Sequence, residues 1–365
     1  MLTALFLILI IIAAAGWIFF HSTRFGQAPA GGRLGLIEKS AHYAGGQFQN
    51  QIPTPALENG KGFLAATWEY LFTKHERLVP AEALPTVKTD LKNLDRGRDL
   101  MIWLGHSSFF IQLGGRRILV DPVFSDYASP VSFVNKAFPG TNIYTADDLP
   151  DIDYLLITHD HWDHLDYPTV MALKPKIGRI VTGLGVGAHF ERWGFAPELI
   201  LEGDWNTELA LEGMSVHILP ARHFSGRSLT RNKSLWAAFA LVSPERRIFI
   251  SGDSGYGPHF KEIGRSFGGF DLAALDSGQY DDGWPYVHMK PEEAARAAEE
   301  LGAGALLPAH IGKFTIANHS WDDPFIRIEA ASRGKDYRLL TPLIGQAFYL
   351  DDAEGGQPNW WDGLK

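Results

Sequence analysis

Thr158-His159-Asp160-His161-Trp162-Asp163-His164 sets three imidazoles and two carboxylates within seven residues, at the end of the apolar run Asp153–Thr158. That run reads as a buried strand, so the histidines emerge in a loop at a sheet edge, where loops carry chemistry. Neutral imidazole and carboxylate suit a borderline cation such as Zn²⁺. In a turn, His159 and His161 can point one way while Asp163 and His164 point another, an arrangement that serves two ions. A lone His-x-His is more often a surface cluster. His-x-His-x-Asp-His after a buried strand reads as a metal motif.

Four residues cannot fill two coordination shells, so further ligands are required downstream. Three candidates stand at the ends of expected strands: His223 after Ser215–Pro220, Asp253 after Ile248–Ile250, and His310 after Ala305–Leu307. An isolated Asp in a Gly-rich turn such as Ser251-Gly252-Asp253-Ser254-Gly255 is ordinarily a cap or turn residue. Recurrence at three strand ends, after a motif that needs partners, makes all three ligand candidates. His217 alternates within a strand and is not read as one.

The remaining texture fits an α/β architecture. Strands are expected at Leu100–Leu104, Ser108–Leu113, Arg116–Val120, Asp153–Thr158 and Ile180–Thr182, with Gly114-Gly115 as a two-residue hairpin turn. A second run covers Glu198–Leu201, Glu208–Leu211, Ser215–Leu219, Leu235–Val242, Arg247–Ile250, Leu272–Leu275 and Ala305–Leu307. Helices are expected at Tyr167–Lys174, Gly187–Trp193, Pro291–Leu301 and Pro324–Ser332. Two such runs, each with alternating helices, suit two stacked sheets with helices outside. The chain has 365 residues, 45% apolar and 21% charged, the balance of a globular protein with a substantial core. A net charge of −9 argues against a nucleic-acid-binding surface. There is no cysteine among the residues but there are fourteen histidines, so disulfides, thiolate metal sites and a cysteine nucleophile are excluded.

Longer stretches carry a family resemblance. Trp103-Leu104-Gly105-His106-Ser107-Ser108, Asp121-Pro122-Val123-Phe124-Ser125, Ala128-Ser129-Pro130-Val131-Ser132-Phe133, Pro220–Arg227 and Gly252-Asp253-Ser254-Gly255-Tyr256 join the metal motif and the three later candidates. Together they resemble the metallo-β-lactamase superfamily, in the branch containing N-acyl-phosphatidylethanolamine-hydrolysing phospholipase D, from about Arg98 to about Phe348. The resemblance implies a four-layer αββα sandwich holding two Zn²⁺ ions. His159, His161 and His223 would hold one ion, Asp163, His164 and His310 the other, and Asp253 would bridge them. It implies a hydrolase, expected to be a phosphodiesterase acting on a phospholipid, in which a metal-bound hydroxide oriented by Asp163 attacks phosphorus. A lactone or carboxylic ester hydrolase is the alternative within enzymes, and a non-catalytic membrane-tethered binding module the alternative outside them. No Gly-x-Ser-x-Gly nucleophile elbow competes with activated water.

Around the ligands, His106 either donates to a ligand carboxylate, lines the pocket or is structural. Asp121 caps or orients the His-rich loop. Arg222 and Arg227 flank His223 and pair a phosphate or fasten loops. Tyr256, His288 and His319 are candidates for the rim or for contacts behind the ligands.

Leu2–Phe20 is apolar apart from Thr3 and Gly16. As a helix it spans about 28 Å at ~1.5 Å per residue, close to a hydrocarbon thickness of ~30 Å. A cleaved leader would use Ala13-Ala14-Ala15, but no Lys or Arg precedes the run, which favours an uncleaved single-pass transmembrane helix. Arg24, Arg33 and Lys39 follow it, so the positive-inside bias points to a cytoplasmic catalytic domain facing membrane lipid. The expected organisation is therefore an anchor over 1–24, a linker and extension over 25–97, a hydrolase domain over 98–350 and a tail over 351–365. Within the extension Gly26–Gly35 reads as a linker. Phe63, Leu64, Trp68, Leu71 and Phe72 give Lys61–Glu76 helical periodicity.

Overall fold

Strict alternation along the first strands builds two cores at once. In β3 (Leu100–Trp103) and β4 (Phe109–Leu113), Met101, Trp103, Phe109 and Ile111 point into one buried cluster, while Leu100, Ile102 and Phe110 point into another. A two-residue side-chain period makes this inevitable once both faces are covered. Gly114 and Gly115 close the hairpin from β4 to β5 (Arg116–Val120) with φ of 57° and 73°, as a tight turn of that hand requires. The structure, a computed structural model, describes residues 2–55, 76–352 and 359–364.

After a short hairpin, β1 (Tyr43–Ala44) and β2 (Gln47–Phe48), two seven-stranded sheets form. The first adds β6 (Ile152–Ile157), β7 (Ile177–Gly183), β8 (Ile200–Gly203) and, at its far edge, β16 (Ala347–Tyr349) to β3, β4 and β5. From β5 to β8 its strands run parallel. The second contains β9 (Thr207–Leu211), β10 (Met214–Leu219), β11 (Ala238–Val242), β12 (Arg247–Ile250), β13 (Leu272–Asp276), β14 (Ala305–Ala309) and β15 (Arg338–Leu339). From β12 to β15 it too is parallel. Parallel pairs need crossovers, which α-helices supply except between β5 and β6, where the chain crosses by a loop with one 3-10 turn, Ala146–Asp148. Tyr167–Leu173 and Gly187–Arg192 cover the first sheet, with Val170 and Phe190 in its outer core. His259–Phe267, Pro291–Glu300 and Asp323–Ser332 cover the second, with Phe260, Ala294 and Phe325 buried. The layers are helix, sheet, sheet, helix, as the resemblance implies.

Several boundaries move for local reasons. The strand expected from Leu235 begins at Ala238 because Leu235 and Ala237 donate to Leu184 O and Thr158 O instead of to β10. Helix His259–Phe267 and the edge strands β15 and β16 are additions. Gly31–Ile37 is helical and begins inside Gly26–Gly35, the stretch read as a linker, and its Arg33 pairs with Glu191 and Glu202. The periodic segment Lys61–Glu76 lies outside the described residues apart from Glu76.

The N-terminal expectation is corrected. Leu2–Phe20 is one helix, yet among the described residues no helix is long and apolar enough to cross a membrane. At the end of that helix Phe19 and Phe20 pack on Phe25 at 5.2 and 5.5 Å between ring centroids, and Phe25 packs on Trp162 at 5.0 Å. The transmembrane helix over 1–24, the single-pass placement and the cytoplasmic side inferred from it are withdrawn.

Candidate metal centre

Both sheets deliver their strand ends to one edge. The loop after β6 brings His159, His161, Asp163 and His164; β10, β12 and β14 bring His223, Asp253 and His310. Backbone bonds stitch the edges together. Ala237 N donates to Thr158 O, His106 N to Ile311 O, and His310 N to His106 O. His106, Asp121 and His310 hold positive φ of 55°, 41° and 62°, a conformation that non-glycine residues avoid and that gathers at functional sites.

The seven expected ligands come together, with one carboxylate between two groups. His159 Nε2 and His223 Nε2 lie 2.8 and 3.2 Å from His161 Nδ1, and 3.6 and 3.5 Å from Asp253 Oδ2. On the other side His164 Nε2 and His310 Nδ1 lie 3.0 and 3.1 Å from Asp253 Oδ1, and Asp163 Oδ2 lies 3.5 Å from His164 Nε2. Zinc–ligand bonds of ~2.0–2.1 Å in a tetrahedron put donor atoms about 3.3 Å apart, close to this spacing. His164 Nε2 and Asp253 Oδ1 are buried without a hydrogen-bond partner, a costly state that a bound cation relieves. The donor set therefore fits two divalent ions.

Groups behind the ligands fix their tautomers. His164 Nδ1 donates to Asp121 Oδ2 at 2.7 Å, while Thr158 N and Oγ1 donate to the same carboxylate. His223 Nδ1 donates to Val287 O at 2.9 Å, leaving Nε2 for the centre. His106 Nε2 donates to Asp163 Oδ2 at 3.0 Å, which selects the carboxylate-donor reading among the three weighed for it. Burial opposes ionisation of Asp163, but the charge of His164 and the His106 hydrogen bond hold it well below the usual carboxylate range.

Other candidates fall at varying distances from the chemistry. His288 stacks on His310 at 4.9 Å between centroids and donates from Nδ1 to Asp276. Arg222 donates to Thr54 Oγ1, Tyr256 O and Pro53 O, and Arg227 to the carbonyls of Asp160, Leu165 and Arg24; both fasten loops. Tyr256 donates to Glu300, and His319 accepts from Gln279 N and stacks on Tyr280, so neither touches a ligand through these contacts.

Three buried groups escaped sequence reasoning. Asp276 ends β13 as the ligand candidates end their strands, a signal available in the sequence; burial pushes it up to about 7. Asp160, inside the motif, accepts from His189, Gly226 N and Ser234. Lys313 had no signal. It is 1% exposed and donates to Val123 O at 2.7 Å, and burial pushes it down to about 7 against the partial pull of Asp166 and Asp126. An unfolded lysine keeps its proton to an ordinary value of 10.5, so between these values the unfolded chain binds more protons. Stability then rises with pH across that window and is lost as pH falls towards 7. We expect urea unfolding of Lys313→Met to lack this rise, with the parent gaining on the variant by about 1.4 kcal/mol per pH unit at most. Parallel curves for the two proteins from pH 7 to 10 would refute the buried-amine account.

Known proteins place this geometry in context. The family description Beta-lactamase superfamily domain matches residues 116–311. An uncharacterized protein of Mycobacterium tuberculosis is 37% identical over 343 residues, covering 92% of each chain. N-acyl-phosphatidylethanolamine-hydrolyzing phospholipase D 1 of Caenorhabditis elegans is 33% identical over 269 residues, which is 68% of this chain and 75% of that one. Among solved structures, the metallo hydrolase Igni18 of Ignicoccus hospitalis superposes with a TM-score of 0.52 at 19% identity, covering 69% of this chain and 97% of that one.

Proposed function

Because the chain belongs to the metallo-β-lactamase superfamily and is a metal-dependent hydrolase, we propose that it holds two Zn²⁺ ions and cleaves a phosphodiester in a phospholipid head group. The observation that carries the reading is Asp253, whose two oxygens face different histidine groups. Similarity to a phospholipase D over two thirds of the chain supports the choice of phosphorus over a carbonyl carbon.

In this reading His159, His161 and His223 would hold one ion, Asp163, His164 and His310 the other, and Asp253 would be shared by the two groups. The ions, when bound, supply Lewis acidity and bring the pKa of a coordinated water towards neutrality. The chain's residues do the positioning. Asp163, with its side chain 11% exposed against 2% for Asp253, is the carboxylate nearer to entering water, and it orients the attacking molecule. His106 holds Asp163 from behind, and Asp121 holds His164. A water oxygen forms the new bond to phosphorus as the bond from phosphorus to the alcohol oxygen breaks, and the proton the water gives up balances the one the released alkoxide takes up.

Elemental analysis of protein purified without added metal should give about two zinc ions per chain; less than half an ion sinks the dinuclear reading. Hydrolysis of N-acyl phosphatidylethanolamine in ¹⁸O-labelled water should place the label on the phosphate product. Label confined to a carboxylic acid would move the assignment to an ester or lactone hydrolase.

A further inference from the structure

Behind the motif loop lies a set of contacts that uses no metal-facing atom. A single nitrogen of Arg227, Nη1, donates to Asp160 O at 3.0 Å and to Leu165 O at 2.5 Å, the two carbonyls that bracket His161, Asp163 and His164. Nη2 reaches away from the loop to Arg24 O at 3.0 Å. The guanidinium is buried, 4.0 Å from the centroid of Trp162 and 5.6 Å from that of Trp193.

The chain just past the N-terminal helix completes this grip. Trp193 Nε1 donates to Thr23 O at 2.8 Å, and Phe25 and Trp162 meet edge to face. Gln27 N donates to His189 Nδ1 at 3.2 Å, and His189 Nε2 donates to Asp160 Oδ2 at 3.1 Å. Between them Gly26, at φ 69°, passes so near His189 that a Cβ there would overlap Nδ1. A run expected to be an anchor's tail and a linker is thus wedged against the reverse side of the loop.

We propose that Arg227 and the segment Thr23–Gln27 form a strap that positions the loop Asp160–Leu165 and thereby sets how tightly the centre retains its metal. The inference rests on the metal-centre reading above. Three of the proposed ligands sit on a loop outside helix and sheet; turn bonds from His164 N and Leu165 N to His161 O shape it internally, but its placement against the rest of the centre depends on contacts from behind. Contacts behind metal ligands typically govern affinity by about 10–100-fold, because a ligand held in place loses less freedom on binding. Arg227 and the segment are positioning elements.

The test uses full-length chains carrying Gly26→Ala, Arg227→Lys or both. Zinc retention is read by competition with a chromophoric chelator, and stability by urea unfolding of the same chains after metal removal. Each single variant should release zinc to about 10–100-fold less chelator. Gly26→Ala puts a methyl against His189 at a backbone angle alanine resists, so the metal-free unfolding midpoint should fall somewhat, and the loss of zinc retention should exceed what that fall accounts for. The double variant should lose little more than the weaker single one, since both changes free the same loop. If Arg227→Lys fails to fold, Gly26→Ala alone decides. Parental zinc retention in Gly26→Ala overturns the strap, as does a metal loss matched by an equal loss of metal-free stability. An unaltered chain that binds no zinc overturns the metal reading beneath it, a result distinguishable from either.

Discussion

Asp253→Asn should lower hydrolysis by about 10³-fold or more, equivalent to roughly 4 kcal/mol of transition-state stabilisation. The side chain is 2% exposed, and each oxygen faces a different histidine group at 3.0–3.6 Å. An amide keeps the shape but offers one group of histidines an N–H in place of an anionic oxygen. Under the proposed assignment one ion would then lose a ligand and both would lose a shared negative charge. Metal analysis beside turnover checks this, with circular dichroism to verify the fold. A variant that kept two ions and worked within tenfold of the parent would remove Asp253 from its bridging role.

Asp163→Asn should cost about 10²-fold, roughly 2.7 kcal/mol, with a smaller loss of metal than Asp253→Asn. Asp163 Oδ2 accepts from His106 at 3.0 Å and stands 3.5 and 3.9 Å from the Nε2 atoms of His164 and His310. Under the proposed assignment, losing its charge would loosen one ion and remove the acceptor that orients water. The two effects separate in the assay: a fall in turnover that added zinc does not restore belongs to orientation. Unchanged activity would remove the proposed role of Asp163 altogether.

The candidate site was legible where chemistry clusters along the chain. His159 to His164 announce themselves within one loop, and His223, Asp253 and His310 were found because each ends an apolar run. The two-sheet core was legible from alternation, as in Met101 against Ile102. Lys313 was not, since Ile311-Gly312-Lys313-Phe314 reads as an ordinary turn and only tertiary packing buries the amine. His189 lay hidden for the same reason: its partners Asp160 and Gln27 are 29 and 162 positions away. Composition misled at the N-terminus. An apolar run shows that a helix has no polar face; it does not show that Phe19 and Phe20 turn back onto Phe25, or that Gly26 must pass against an imidazole.

Neither half of the molecule owns a complete centre. His159, His161, Asp163 and His164 belong to the first sheet's loop, His223, Asp253 and His310 to the second sheet. Under the proposed assignment each ion takes donors from both, so its binding free energy doubles as adhesion between the halves. Sliding one sheet across the other by even an ångström would spoil both ions together. Occupancy is thereby a gauge of how the halves are aligned, and mutations deep in the shared core, far from any imidazole, should be felt at the edge as metal loss before they are felt as unfolding.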